Sequence, residues 1–350
     1  MSKKVIVTGC TGQFGSFMVD YLLDNTDYEI YGMVRHLSVE NHKNINHLKN
    51  NPRFHLFSGD LTDGYSLQKS IEEIKPDYYI SAAAQSFVSE SWITPVNTFI
   101  TDSVAIIHIL EAIRKIVPHC RFVNMGSSEQ FGDVQYSPQD INHPFRSRSI
   151  YAAAKVAAHQ IVKVYRESYG LFAIQPICFN YEGPRRGEKF VTKKITMGVA
   201  RIYHDAMVNN KTIYPIELGN IHSQRDWSDC EDFVDGVWKM LNQNSPEEFV
   251  LSSGETHSIK EFIELAFNEV GIMGEWFGEK EGERLRYSGP KFLPSDKCNL
   301  VIINSKFYRP NEVSLLCGDS TPIRQKLRWS PKTTFTNLVK KMVAADIATY

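Results

Sequence analysis

Short apolar runs alternate with longer amphipathic stretches through the first half of the chain. The apolar runs predict β-strands at residues 4–8, 28–34, 53–58, 77–81, 120–125 and 172–178. Between them, apolar residues at helical spacing predict helices after residue 15, at 95–117 and from residue 151. Strands that alternate with helices predict a parallel sheet with helices on both faces, the α/β class of fold.

In the second half of the chain the helical pattern dominates. It predicts a helix that begins near residue 190 and further helices at 230–241, 259–270, 321–329 and 334–348. The polar and charged stretch 274–293 predicts a β-excursion or a loop. No internal repeat or flexible linker divides the sequence. We therefore predict two domains that share one cleft, residues 1–180 for a dinucleotide and 181–350 for a substrate, with later segments able to return to the first domain.

Composition and charge narrow the class of protein. Lysine and arginine total 39 against 40 aspartate and glutamate residues, a formal net charge of −1. Such a balance, without long runs of either sign, argues against a nucleic-acid-binding or membrane-surface protein. The six cysteines and 11 histidines have no metal-ligand spacing, so we assign no metal. Without a signal peptide or an apolar run of about 18 residues, we expect a soluble, cytoplasmic protein with no membrane partner.

The first predicted strand runs into a glycine-rich turn. A turn of this kind between a strand and a helix brings backbone N–H groups and the positive end of the helix to a pyrophosphate. Glycine is needed because a Cβ would hold the phosphates away or clash in the tight turn. We therefore predict a Rossmann-type doubly wound parallel sheet with a smaller C-terminal α/β substrate-binding domain. The predicted cofactor contacts in the turn are Gly9, Thr11, Gly12, Gln13, Phe14 and Gly15.

The ends of the next strands favour NADP over NAD. Arg35 stands where an acidic residue would meet a free ribose 2′-hydroxyl, and an arginine suits a 2′-phosphate instead, although it would also suit a solvated loop. Asp60, followed by Leu61, is placed to meet the adenine amino group, and Thr62 or Asp63 would cap the next helix. After the fourth strand, small residues let the backbone approach the cofactor. These further predicted cofactor contacts are Ala82, Ala83, Ala84 and Gln85.

Tyr151 and Lys155 are four residues apart on a predicted helix, downstream of the strand-end residue Ser127. A phenol with an unperturbed pKa of about 10 is a poor base at neutral pH. The lysine ammonium and a cationic nicotinamide ring would favour the phenolate, and a pKa near 7 requires roughly 4 kcal/mol from them. Ser127 would hydrogen-bond the substrate hydroxyl that Tyr151 deprotonates, and Lys155 would hold the nicotinamide ribose. These groups can pass a hydride from a secondary alcohol to a nicotinamide.

Glu129 adds a carboxylate that a simple alcohol dehydrogenase does not need. If C4 of a hexose is oxidised, the C5 hydrogen becomes acidic, and a carboxylate can remove it and protonate the departing C6 hydroxyl. Hydride return to C6 then gives a 4-keto-6-deoxy sugar without net redox change. The alternative is that Glu129 caps a turn or binds a backbone amide.

The stretch 185–194 contains five cationic residues and runs into a predicted helix. Cations at a helix start can bind a diphosphate. A solvated basic surface is the alternative for this stretch.

These motifs together resemble the extended form of the short-chain dehydrogenase/reductase superfamily. Segments 180–195, 219–227 and 307–313 narrow the resemblance to the GDP-mannose 4,6-dehydratase family, and it extends over nearly the whole chain. The resemblance implies Ser127, Glu129, Tyr151 and Lys155 as catalytic residues. It implies GDP-sugar contacts at Ser86, Ser127, Ser128, Glu129, Asn180, Glu188, Val191, Lys194, Arg225, Arg309 and Glu312. A carboxylate such as Glu312 suits guanine because it can accept both the ring N–H and the exocyclic amine.

The chain also departs from the residues usual in that family. Ser127 stands for a threonine, Phe14 for an acidic residue and Phe87 for a histidine, and Gln130-Phe131 replaces a hydrophobic residue followed by tyrosine. The changes around Glu129 and Phe87 fall at the end of the site that would hold the sugar. They are also compatible with a related substrate, such as a GDP-manno-heptose, or with a reaction that stops after oxidation at C4.

We therefore expect an NADP-dependent dehydratase that acts on a GDP-hexose, GDP-mannose or a close relative. The alternatives are a GDP-sugar C4 oxidoreductase or epimerase on the same fold, and a nonenzymatic NADP(H)-sensing protein. The family implies a homodimer or homotetramer. Its loop after the second strand helps to build the tetramer, and residues 36–40 of this chain read His-Leu-Ser-Val-Glu in that loop.

Overall fold

A computed structural model describes residues 2–36, 41–209, 212–289, 298–308 and 315–350. Its centre is a six-stranded parallel sheet with the strand order β3-β2-β1-β4-β5-β6. The strands are β1 (Lys4–Thr8), β2 (Glu29–Val34), β3 (Phe54–Ser58), β4 (Tyr78–Ser81), β5 (Arg121–Asn124) and β6 (Ala173–Ile174). The predicted Rossmann-type α/β class is confirmed.

Helices cover both faces of this sheet. Helix α1 (Gln13–Asn25) lies on one face, and α2 (Gly64–Ile74) and α5 (Ile150–Tyr169) lie on the other. The pleat of β1 explains the two cores, because Val5 and Val7 pack on the α1 side and Ile6 on the opposite side. Each such side chain is fully buried and contributes about 1.5–3 kcal/mol of hydrophobic stabilisation.

The expected helix at 95–117 is three pieces rather than one regular helix. Helix α3 (Pro95–Phe99) continues through a π-helical turn, Ile100–Val104, into α4 (Ala105–Ile116). The 22 residues from 95 to 116 are long and apolar enough to cross a membrane by length and composition, contrary to the expectation that the chain has no such run. Half of the most apolar window is buried in this fold, and a single helix of this kind is weak evidence for a membrane span.

The strand expected at 172–178 is also interrupted. Strand β6 ends at Ile174, and β7 (Ile177–Cys178) leaves the central sheet to pair with β12 (Val250–Leu251). The break falls at Gln175-Pro176, because a proline has no N–H to give to a sheet ladder.

The second half builds smaller sheets and a separate apolar core. Its remaining strands are β8 (Asn180–Glu182), β9 (Ile216–Leu218), β10 (Gln224–Arg225), β11 (Trp227–Asp229), β13 (His257–Ser258), β14 (Gly274–Phe277), β15 (Arg284–Tyr287), β16 (Asn299–Ile303) and β17 (Leu315–Leu316). Its helices are α6 (Val191–Tyr203), α7 (Cys230–Leu241), α8 (Ile259–Glu269), α9 (Thr321–Leu327) and α10 (Phe335–Thr349). Helices α6, α8 and α10 pack together around Phe262 and Met342.

Helix α7 joins the first half instead. It packs against α1, and its residues Val234 and Val237 share one core with Met18 and Leu22. The cleft between the two halves is therefore bordered by segments from both sides of residue 180. The domain division at that residue stays a prediction.

Candidate active site

The site lies at the carboxyl ends of the parallel strands, where ligands bind in open sheets of this kind. A cavity of about 810 Å³ opens there. Its walls are the turns after β4 and β5, the start of α5, the segment from β7 to α6, and the loops at residues 218–227 and 306–308.

Two positions of the glycine turn after β1, Gly9 and Gly15, have no room for a Cβ. Gly9 has a φ of +67°, and a Cβ on it would lie 2.7 Å from the Ala83 nitrogen. A Cβ on Gly15 would lie 2.2 Å from the Gly9 carbonyl oxygen. The turn and the β4 end are joined by Thr8, whose Oγ1 accepts from the amides of Ala82 and Ala83, each at 3.1 Å. The predicted cofactor contacts from both turns therefore lie side by side.

Helix α1 begins here without a side-chain cap. Its N-cap Gly12 makes no capping bond and its first turn has no acidic residue, which leaves its amides for an anion. Two of the predicted contacts have side chains engaged elsewhere. The Gln13 amide donates to the Tyr181 carbonyl oxygen at 3.0 Å, and Phe14 is buried against Tyr181. Only the backbone of these two residues is available to a cofactor.

Arg35 and Asp60 lie at the neighbouring strand ends. Arg35 is exposed, and its charge helps to lower the pKa of the Asp60 carboxyl, after the larger effect of a hydrogen bond from the Thr62 amide. Asp60 Oδ1 accepts from the Thr62 nitrogen and hydroxyl, each at 2.8 Å. Asp63, one of the two expected caps, caps α2 by accepting from the Tyr65 amide. Leu61 is buried in the core.

Tyr151 and Lys155 share one turn of α5, which starts at its N-cap Ser149. Both side chains are buried, and the Lys155 ammonium lies 5.8 Å from the Tyr151 ring centroid while it donates to the Met125 carbonyl oxygen at 3.0 Å. The Ser127 hydroxyl makes a hydrogen bond with the phenol. The three predicted hydride-transfer residues are thus brought together.

The pKa of the Tyr151 phenol differs from the simple expectation. Burial raises this pKa, and the negative charges of Asp102 and Glu129 raise it further. The hydrogen bond from Ser127 and the positive charge of Arg186 lower the pKa of the phenol, but by less than burial raises it. Burial therefore outweighs the groups of this chain that lower the pKa of the phenol, and a bound cation would lower this pKa further.

Glu129 is half-buried and lines the cavity next to Ser127 and Ser128. Glu129 does not cap the turn, because Ser127 and Gln130 do so. The Ser127 hydroxyl accepts from the backbone N–H of Glu129, and Gln130 Oε1 accepts from the backbone N–H of Ser127. Among the described residues, no hydrogen bond or ion pair holds the Glu129 carboxylate. It is free to act on a molecule in the cavity.

Nine of the predicted substrate contacts line this one cavity. They are Ser86, Ser127, Ser128, Glu129, Asn180, Glu188, Val191, Lys194 and Arg225. The other two, Arg309 and Glu312, lie outside the described residues, as do residues 37–40 of the loop after Arg35.

The five cations of 185–194 do not act as one patch. Arg185 pairs with Asp20 at 2.6 Å, and Lys193 is buried in an ion pair with Asp346. The other three cations line the cavity: Arg186, Lys189 and Lys194. Arg185 and Lys193 are thus held in ion pairs away from the cavity, and Arg186 lines the cavity while it also pairs with the buried Glu182 at 2.9 Å. A run of cations in the sequence does not reveal which of them pair with acids far away along the chain.

Sequence reasoning expected Phe87 at the sugar end of the site but missed the other aromatic residues of the cavity wall, Phe190 and Phe307. The rings of Phe87 and Phe190 meet edge to face with centroids 5.7 Å apart, and the Arg186 guanidinium lies 3.6 Å from the Phe190 centroid. At the other end, the Lys194 ammonium lies 3.6 Å from the Phe307 centroid. The aromatic residues next to the motifs were visible in the sequence, but nothing in their spacing assigned them to the cavity.

Comparisons with known proteins show the family of this chain. The sequence model of GDP-mannose 4,6 dehydratase matches residues 6–342. The GDP-mannose 4,6 dehydratase of Drosophila melanogaster is 41% identical over 353 residues, which cover 99% of this chain and 86% of that protein.

Two solved structures show the same fold at low identity. The dTDP-glucose 4,6-dehydratase of Bacillus anthracis, in complex with NAD, has a TM-score of 0.78 at 18% identity and covers 98% of this chain and 96% of its own. RMD from Pseudomonas aeruginosa, complexed with NADPH, has a TM-score of 0.74 at 19% identity and covers 100% of both chains. With the family match over residues 6–342 and a relative of 41% identity, this chain belongs to the GDP-mannose 4,6-dehydratase family.

Proposed function

We propose that the protein is an NADP-dependent 4,6-dehydratase of a GDP-hexose, GDP-mannose or a close relative. The products are the GDP-4-keto-6-deoxy sugar and water. The observation that carries the proposal is that the Ser127 hydroxyl, the Tyr151 phenol and the Glu129 carboxylate line one cavity. A hydride exchanger needs the first two, and only water elimination needs the third.

The residues at the strand ends fit a nicotinamide dinucleotide. The turn around Gly9 and Gly15 excludes any Cβ, and the start of α1 offers uncapped amides to a pyrophosphate. The exposed cation Arg35 supports NADP, because it can meet a 2′-phosphate. When bound, the cofactor would supply the hydride acceptor at C4 and the hydride donor at C6.

The side chains then have separate roles. Tyr151 takes the proton of the C4 hydroxyl while Ser127 donates a hydrogen bond to the same oxygen, and the nearby Lys155 stabilises the phenolate and can meet the nicotinamide ribose. Once C4 is a ketone, Glu129 removes the proton from C5. The C5–C6 double bond forms as the C6–oxygen bond breaks, and the Glu129 carboxyl returns the proton to the departing hydroxyl, which leaves as water. Hydride from the bound cofactor would then add to C6 and a proton from solvent to C5, which gives the 4-keto-6-deoxy sugar.

The opposite end of the cavity suits a nucleotide diphosphate. Lys194 and Arg225 line the cavity there, and burial lowers the pKa of the Lys194 ammonium. A diphosphate would offset this loss of hydration with charge-assisted hydrogen bonds. Arg309 and Glu312 complete the proposed GDP site through the family resemblance.

One specific observation favours a second sugar. Phe87 lines the cavity next to Phe190, at a position where the family usually has a histidine, so the sugar meets a different side chain there and a GDP-manno-heptose is the second candidate substrate.

An NMR experiment tests these proposals together. The protein is incubated in D₂O with catalytic NADP and either GDP-mannose or a GDP-manno-heptose. A dehydratase forms a deoxygenated C6 and puts deuterium at C5, and the better substrate identifies the sugar. Stoichiometric NADPH without loss of water would instead identify a C4 oxidoreductase, exchange of configuration at C4 an epimerase, and binding without turnover a cofactor sensor.

We also propose a homo-oligomer, a homodimer or homotetramer, that works in the cytoplasm. Exposed apolar side chains recur along the 95–116 helix and along α5, among them Val96, Ile107 and Val164. A second copy of the chain would cover this face. The six free cysteines support a reducing compartment.

A further inference from the structure

Three amide side chains are buried behind the proposed catalytic groups. Gln130 and Gln175 have no exposed surface and Asn124 is 2% exposed. The Asn124 amide donates to Gln175 Oε1 at 2.6 Å, and the Gln175 amide donates to Gln130 Oε1 at 3.2 Å. We call this chain of hydrogen bonds the amide tie.

The amide tie joins the two segments that carry the chemistry. At one end, Gln130 Oε1 accepts from the backbone amide of Ser127 at 3.1 Å. At the other end, the Gln175 amide donates to the backbone carbonyl oxygen of Lys155 at 2.9 Å. The turn that carries Ser127 and Glu129 is thereby connected to the helix that carries Tyr151 and Lys155.

The surrounding backbone leaves Gln175 little freedom. A Cβ on Gly126 would lie 2.2 Å from the Pro176 carbonyl oxygen and 3.1 Å from Gln175 Cγ, so the two segments approach as closely as backbone allows. The backbone nitrogen of Gln175 donates to Glu248 Oε1 at 2.9 Å, and Arg166 pairs with the same carboxylate at 3.1 Å. The interruption between β6 and β7 holds Gln175 at this place.

Stability alone does not account for these amides. Buried amides are costly when any hydrogen bond is missing, and Gln130 Nε2 is buried without a partner. Apolar side chains of the same size would avoid that cost. The family resemblance implies a hydrophobic residue at position 130, so the tie belongs to this chain and not to the family pattern.

We propose that Gln130 and Gln175 are positioning residues that fix the distance between the Ser127–Glu129 turn and the Tyr151–Lys155 helix. The effects on kcat that this inference predicts rest on the proposed function. Neither glutamine lines the cavity. Both act through the groups that they hold, since a small displacement of reacting groups can reduce a rate severely.

The test compares Gln130→Met, Gln175→Met and the double variant with the wild type. Each single variant leaves a buried polar group without its partner, so its unfolding midpoint falls. The double variant removes both partners of the central bond and recovers part of that loss. We expect its kcat to stay at least tenfold below wild type, with KM for the GDP-sugar and Kd for NADP unchanged.

Gln139→Met is the matched control, because Gln139 is also fully buried and hydrogen-bonded, to Tyr136 and Cys317. It should lower stability without lowering kcat. A double variant with wild-type kcat would overturn the proposal. The proposal would also be overturned if Gln139→Met lost as much kcat as the double variant for the same loss of stability.

Hydrogen exchange separates failure of this inference from failure of the proposed function. If wild-type protein converts no GDP-sugar, the proposed function fails. The tie is then judged by exchange of the Ser127 amide, which should be at least tenfold faster in Gln130→Met than in Gln139→Met. Equal exchange rates of the Ser127 amide in both variants would overturn the inference that the amide tie holds the Ser127–Glu129 turn.

Discussion

Asp102 interacts with Tyr151 through its charge and with Gln85, one of the predicted cofactor contacts, through a hydrogen bond. It lies in the π-helical turn between α3 and α4, and its Oδ1 accepts from the Gln85 amide at 2.7 Å while Oδ2 is buried without a partner. Burial raises the pKa of Asp102 to about 6, against the opposing charge of Lys155. In return, its carboxylate raises the pKa of Tyr151.

The raised pKa of Asp102 predicts a pH-dependent loss of stability. Between about pH 4 and 6 the unfolded chain has already lost this proton while the folded protein keeps it, so the free energy of unfolding falls as pH rises. A shift from 3.8 to about 6 corresponds to about 3 kcal/mol at pH 7. Asp102→Asn should therefore be more stable than wild type above pH 6, with the difference fading toward pH 4. Urea unfolding across this range measures it, and a difference that does not change with pH would contradict the assignment.

Glu129→Gln should separate oxidation from water loss. The amide cannot remove the C5 proton, so formation of the C6 methyl from GDP-mannose should fall by about 10²- to 10⁴-fold. Because hydride has no C6 acceptor, reduced cofactor should accumulate and absorb at the expected NADPH wavelength. Glu188→Gln is the matched control in the same cavity, and it should change KM while methyl formation continues. Unchanged turnover in Glu129→Gln would remove this carboxylate from the mechanism.

The turn between β1 and α1 can be tested at the scale of elements. In Gly15→Ala the new Cβ would lie 2.2 Å from the Gly9 carbonyl oxygen, so the start of α1 has to move. We expect NADP affinity to fall at least tenfold and the free energy of unfolding to fall by about 1–3 kcal/mol. Calorimetric titration and urea unfolding measure the two effects.

Gly170→Ala provides the control for that substitution. Gly170 has a φ of +67° and ends α5, but a Cβ there would meet nothing within 4 Å. It should lose about 1 kcal/mol of stability from its left-handed backbone and keep the affinity for NADP. Equal loss of affinity in both variants would mean that the turn around Gly15 has no special relation to the cofactor.

Elements with a strong local signal were predictable from the sequence, and those set by distant contacts were not. The β1–α1 turn and the Tyr151–Lys155 helix follow from glycine and apolar spacing, and the structure has both. The π-helical turn of 100–104 has no such signal, since the bonds from Gln85 to Asp102 and Thr98 join residues far apart in sequence. Likewise, the burial of Lys193 depends on Asp346, near the other end of the sequence.

At the scale of the molecule, the apolar face of the 95–116 helix and α5 predicts association. Val96 is 70% exposed and Val164 is 52% exposed, on the contacting helices α3 and α5, and a second copy of the chain would cover both side chains. Val96→Arg combined with Val164→Arg should shift the protein to monomers in light-scattering measurements, because the two-fold related copies would face each other with buried charge. Met273→Arg changes a 59% exposed side chain elsewhere and should leave the mass unchanged. A wild-type monomer would refute the proposed association.

The shared core of α1 and α7 has a consequence for synthesis on the ribosome. Helix α1 emerges long before α7, so the side of Met18 and Leu22 that packs with Val234 and Val237 has no cover while the intervening chain is being translated. The nucleotide-binding sheet therefore reaches its final packing only after Val234 and Val237 have left the exit tunnel. Until then the nascent chain carries an exposed apolar strip, the kind of surface that holding chaperones recognise.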